Sequence, residues 1–139
     1  MTDASFANLG RQTKLDWLDL SRTKITDKAI KFLAETQSLS QLSLDGTAVT
    51  DACLDLIAKN RNLEELDLSN TRVTSDGLRK LGSLTSLKTL WLTNTAVDDQ
   101  AVSTLSKLDS LDFISLQGTR VSQAAQASLS KAIPNLTIE

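Results

Sequence analysis

Leucines recur along the chain in the spacing L-x-x-L-x-L, at Leu15/Leu18/Leu20, Leu39/Leu42/Leu44, Leu63/Leu66/Leu68 and Leu87/Leu90/Leu92. A fifth copy reads Leu111/Ile114/Leu116, and each copy starts 24 residues after the one before. A last start, Leu136, comes 25 residues after Leu111, with the extra residue near Pro134. Each motif ends in apolar–polar–apolar alternation, which predicts a corner followed by a short strand with one face in the core. Three residues further on stands a threonine: Thr23, Thr47, Thr71, Thr95 and Thr119. Its hydroxyl is expected to satisfy backbone groups in the loop that leaves the strand. Two residues later comes a branched apolar residue: Ile25, Val49, Val73, Val97 or Val121.

The pairs Thr26-Asp27, Thr50-Asp51, Thr74-Ser75, Asp98-Asp99 and Ser122-Gln123 follow, and predict a helix N-cap in every coil. Ile30/Leu33, Leu54/Ile57, Leu78/Leu81 and Val102/Leu105 then stand three apart, the spacing of one inward helix face. A small residue precedes each such position (Ala29, Cys53, Gly77, Ala101, Ala125) and is expected to let the helix approach the strand layer. Cys53 reads as a core thiol.

A single 24-residue unit cannot bury its own apolar face, whereas a stack of them makes a continuous core. The predicted fold is therefore α/β: a right-handed solenoid with short parallel strands on the concave face and short helices on the convex face. It is read as one domain over 1–139, with a half-repeat cap at 1–14 and repeats at 15–38, 39–62, 63–86, 87–110 and 111–135. Residues 136–139 form a terminal strand. Thr2-Asp3 aligns with the capping pair, Phe6 and Leu9 with the inward helix positions. Such a half-repeat fits an N-terminal cap and equally a piece cut from a longer or shortened array. Gln126 and Pro134 read as capping of an exposed last coil.

The run L-D-L-S-x-T-x-V-T-x-x-G-L at 66–78 resembles the leucine-rich-repeat family, in the threonine-type variety common in bacterial proteins. The resemblance covers essentially the whole chain. More familiar members of the family carry Asn where this chain has Thr71, and F-box-type repeats carry Cys or Asn there. Extracellular members usually carry cysteine caps, so the resemblance implies an intracellular, cytoplasmic setting.

Composition narrows the function. There is no histidine, which removes Ser-His-Asp and Cys-His nucleophiles, His-ligated metals and an imidazole switch. One cysteine forms neither an intramolecular disulfide nor a thiolate metal cluster. Fifteen Lys+Arg against 17 Asp+Glu leave a net charge of −2, so charge argues for neither nucleic acid nor membrane as a partner. No apolar run approaches the ~20 residues of a membrane span, and residues 1–10 lack the features of a signal peptide. Asn135-Leu136-Thr137 matches a glycosylation acceptor, but nothing suggests secretion.

The repeat register sorts that charge. Positions between the leucines hold seven of the 17 acids, one of the 15 bases, both tryptophans and Phe113. This predicts an acidic, aromatic concave face that binds a protein partner through a basic segment. The candidate binding residues are Trp17, Asp19, Asp45, Glu65, Asp67, Trp91 and Phe113. Trp91 and Phe113 fall on neighbouring strands, two residues out of step, so their rings are expected to meet. The competing reading is a solvated sheet face whose aromatics serve strand propensity.

No catalytic residue, cofactor or metal is expected. Glu64, Glu65, Asp67 and Asp45 crowd together, yet no nucleophile or oxyanion site accompanies them. Asp19 and Asp67 share a level while Asp45 lies two residues on, a poor calcium set. After the ladder threonines, Lys24, Ala48, Arg72, Ala96 and Arg120 place bases on alternate coils, fit for an acidic partner or left by duplication of a two-repeat unit. Phe32 and Leu56 share an outward helix position and read as partly covered surface. The chain is thus expected to be a monomeric, non-enzymatic interaction module. The alternatives are a structural, engineered or excised scaffold without a ligand, and a recognition arm of a larger effector or ubiquitin-ligase-like protein.

Overall fold

The computed structural model describes residues 1–6, 14–36 and 38–139, apart from the side chains of Phe6 and Glu35. Leu9 and the Phe6 side chain, expected as inward positions of the half-repeat, lie outside the described residues. The strands are β1 (Trp17–Asp19), β2 (Gln41–Ser43), β3 (Glu65–Asp67), β4 (Thr89–Trp91), β5 (Phe113–Ser115) and β6 (Thr137–Ile138). They form one parallel sheet in chain order, with Leu18↔Leu42↔Leu66↔Leu90↔Ile114↔Ile138 aligned across it. The coils therefore stack as the leucine spacing requires, in a leucine-lined solenoid.

Opposite the sheet run one-turn helices: α1 (Asp3–Phe6), α2 (Asp27–Ile30), α3 (Leu54–Ile57), α4 (Ser75–Leu78) and α5 (Val102–Leu105). Most are extended by 3-10 turns, and among the described residues only α6 (Gln123–Ala132) runs uninterrupted for ten residues. None among the described residues is long and apolar enough to cross a membrane. The strand leucines, branched residues and helix pairs form one continuous core. Leu15 and Leu18 are only half-buried because β1 is an edge strand. Val102 is also half-buried, contrary to its expected inward place, and Thr104 is buried in the same turn. The matching position of the next coil is Gln126, which offers Val102 no aliphatic cover.

Each ladder threonine donates its hydroxyl to the carbonyl three residues back, at 2.6–2.7 Å, so a buried acceptor is satisfied inside every coil. Between strand and threonine the backbone is left-handed at the same point of each coil: Arg22, Gly46, Asn70, Asn94 and Gly118, with φ from 53° to 69°. Glycine and asparagine suit that conformation, and Arg22 is the exception.

The capping pairs do two jobs, of which the sequence analysis saw one. Their first residue caps its own helix: Thr26, Thr50, Asp98 and Ser122 accept backbone N–H groups at 3.1–3.3 Å, while Thr74 makes no such bond. The second residue reaches to the next coil. Asp3, Asp27 and Asp51 each accept from the backbone N and hydroxyl of Thr26, Thr50 and Thr74, at 2.6–2.8 Å. Asp99 grips Ser122 in the same way. Between coils three and four the roles are exchanged: Ser75 donates its hydroxyl to Asp98 at 2.6 Å and accepts the Asp98 N–H at 2.9 Å.

These staples also bear on the small positions. A methyl group added at Gly77 would overlap the Asp51 carboxylate, so smallness there makes room for the previous coil's acid. Cys53 lies against Asp27 in the same way.

Candidate interaction surface

Two rows of side chains stand on the strand face. The register places Trp17, Gln41, Glu65, Thr89 and Phe113 in one row, and Asp19, Ser43, Asp67, Trp91 and Ser115 in the other. Trp91 and Phe113 are diagonal neighbours, with ring centroids 6.1 Å apart and planes tilted by 53°, a favourable aromatic geometry. Trp17, at the far edge, is 61% exposed. Between the two tryptophans lies a shallow groove of about 160 Å³ lined by Trp17, Gln41, Leu42, Ser43, Glu65, Asp67 and Trp91.

The seven acids of this side are not equivalent. Asp19 is spent on its own turn, accepting the Ser21 N–H at 2.8 Å and hydroxyl at 2.5 Å. The Ser21 hydroxyl, then its N–H, hold the Asp19 carboxyl below the usual range. Asp45 lies on the turn beyond β2, where it pairs with Arg22 at 3.7 Å and accepts the Asn70 amide at 2.6 Å. Asp16 accepts the Ser40 hydroxyl, and Glu64 pairs with Lys88 at 2.7 Å. That carboxylate, by hydrogen bond and then by charge, raises the Lys88 pKa. Glu65 and Asp67 differ: one accepts the Gln41 amide at 3.2 Å, the other the Ser69 N–H at 2.9 Å, and neither joins an ion pair among the described residues.

The candidate residues thus separate into groups. Trp17, Glu65, Asp67 and Trp91 line one groove, and Phe113 backs Trp91, whereas Asp19 and Asp45 serve the turns. Ser69 and Ser115 are buried. Ser115 bonds to Thr93 across strands at 2.8 Å, as Ser43 does to Ser21 at 2.7 Å. Among the described residues no three acids, alone or with Cys53, come together in a metal-holding cluster. Cys53 itself is buried, and burial and then the Asp27 charge push its thiol pKa up, which leaves it protonated and inert.

The family model described as Leucine Rich repeats (2 copies) matches residues 61–107, and the same 24-residue coil extends on both sides of that span. Internalin C2 from Listeria monocytogenes superposes with a TM-score of 0.73 at 27% identity, over 94% of this chain and 54% of its own. The coils within residues 61–107 match leucine-rich repeats. A leucine-rich-repeat protein from Leptospira interrogans shares the fold, with a TM-score of 0.63 at 18% identity over 96% of this chain and 39% of its own. The chain therefore spans about half the length of the first relative and two-fifths of the second. Among curated proteins, none matches the sequence. Leucine-rich-repeat domains are generally protein-binding modules and generally non-enzymatic.

A second groove runs along the left-handed turns of the repeats, about 610 Å³ in volume and wide open. Lys24 and Arg72 line it with Gly46, Asn70 and Asn94, while Arg120 of the same alternation stands outside. Asn94 donates to Asn70 and Asn70 to Asp45, a side-chain chain that ties three turns together. A methyl group added at Gly118 would overlap the Asn94 side chain, so this turn needs glycine twice over. The signal of this turn series in the sequence is the recurrence of Gly46, Asn70, Asn94 and Gly118 at 24-residue spacing, which the leucine pattern overshadows.

Proposed function

We propose that the chain is a non-enzymatic protein-interaction module whose partner docks on the concave strand face through a basic segment. The observation that carries this reading is the Trp91–Phe113 ring pair, half-buried on a sheet surface whose other side chains, Trp17 apart, are polar. Paired aromatics on a rigid sheet offer a large apolar contact at little entropic cost, the usual make-up of an interface anchor. The nearby acids, with Lys88 already held by Glu64, favour a cationic partner. An open, strand-lined face gives no enclosed space for a reaction, which supports binding over catalysis.

The test is affinity capture from a lysate of the source cells by the wild-type chain and by a Trp91→Ala/Phe113→Ala variant. A specific protein retained by wild type alone, with a thermal midpoint only slightly changed in the variant, is the expected result. Identical captures by both forms, or none by either, overturn the reading. Size-exclusion with light scattering is expected to show a monomer.

A further inference from the structure

The geometry points to an arginine cradle: the groove between Trp17 and Trp91, floored by Glu65 and Asp67, receives one arginine side chain of the protein partner. This rests on the reading that the concave face binds a protein, and adds which residue the partner presents. The first argument is size. At about 160 Å³ the groove is well below the roughly 300–1,000 Å³ of small-molecule pockets, and matches a single long side chain. The second is charge. Four other carboxylates, those of Asp45, Asp55, Asp76 and Glu64, are matched to a lysine or arginine of this chain. Among the described residues Glu65 and Asp67 are not, and no base lines the groove they share. The third is shape. Indoles flank the groove at both ends, and Phe113 backs one of them, so a planar cation can stack while its nitrogens reach the carboxylates. The Gln41 amide and the Ser69 N–H each hold one oxygen of those carboxylates, which fixes their orientation and leaves acceptor capacity for a ligand.

The chain has only two tryptophans, so two indole N–H resonances report on the cradle directly, and Trp17→Phe distinguishes them. The probe is the blocked peptide acetyl-Gly-Ser-Arg-Ser-Gly-amide, titrated beside its lysine and citrulline counterparts. Both indole signals are expected to move together and saturate with the arginine peptide, more weakly with lysine, and not at all with neutral citrulline. Glu65→Gln/Asp67→Asn is expected to weaken binding about tenfold or more, and Trp17→Ala to weaken it as well. Equal response to citrulline or lysine, indifference to Trp17→Ala, or no response to the arginine peptide overturns the cradle. Each of those outcomes leaves the docking face standing, because that reading is decided by capture with the Trp91→Ala/Phe113→Ala variant.

Discussion

The loop edge and the strand face of this solenoid use acidic side chains in opposite ways. On the loop edge, Asp3, Asp27, Asp51 and Asp99 each hold the next coil by a backbone N–H and a hydroxyl. Such a carboxylate is fully employed, and its neighbourhood is shaped around it, as the bare Gly77 beside Asp51 shows. On the strand face Glu65 and Asp67 each accept a single bond and line an open groove. The same residue type is a fastening in one place and an unsatisfied charge in the other. What separates them is the number of donors received: a backbone N–H and a hydroxyl at the edge, one donor on the face.

The sharpest way to break this contrast is at Gly77. Gly77→Ala is expected to destabilise by about 1–3 kcal/mol, because the added methyl group must displace the Asp51 carboxylate. In an Asp51→Ala background the same change is expected to cost far less, since the overlap is gone and alanine favours helix. Denaturant unfolding of the four-member cycle measures that coupling, and additive effects would refute the packing argument.

A smaller effect is expected where the staple is inverted. Ser75→Asp sets a carboxylate against Asp98 and should lower the Tm by a few degrees. Adding Asp98→Thr rebuilds the arrangement of the other coils and should recover most of that loss. The Ser75 hydroxyl, then the Gln100 N–H, hold the Asp98 carboxyl below its ordinary 3.8. A depressed folded-state pKa stabilises at neutral pH, and that contribution fades only as pH falls below about 3.8 towards the folded value. The Tm gap between wild type and Asp98→Asn should therefore stay constant from pH 7 to 5 and narrow in stronger acid.

The smallest effect belongs to the strand face. Trp17→Ala and Glu65→Gln are expected to shift stability by no more than about 0.5 kcal/mol, since neither residue is enclosed by the core. A loss there as large as at Gly77 would mean that the groove is part of the scaffold and would erase the distinction between the two sides.

Much of the fold was legible in one dimension. The leucine spacing located all six strands, and the threonine after each motif was read as a backbone partner, which its bond to Leu20, Leu44, Leu68, Leu92 or Leu116 shows it to be. Thr74-Ser75 and Asp98-Asp99, by contrast, looked like two separate departures from the Thr-Asp pair. Stacked, Ser75 and Asp98 face each other, and the departures compensate. At Gly77 smallness has a second reason that spacing does not show, because the nearest atoms belong to Asp51 of the previous coil. On the face, the aromatic residues were evident from strand alternation. That Ser21 holds Asp19, and Arg22 and Asn70 hold Asp45, is not visible in that alternation.

The chain alone determined the coil length, the strand register and the residues of the core, because these follow from where apolar side chains recur along a few dozen positions. Tertiary structure decided which polar side chains are matched. Many of their partners come from residues 22–25 places away, on the adjoining coil, a distance at which spacing along the chain does not show which side chains meet.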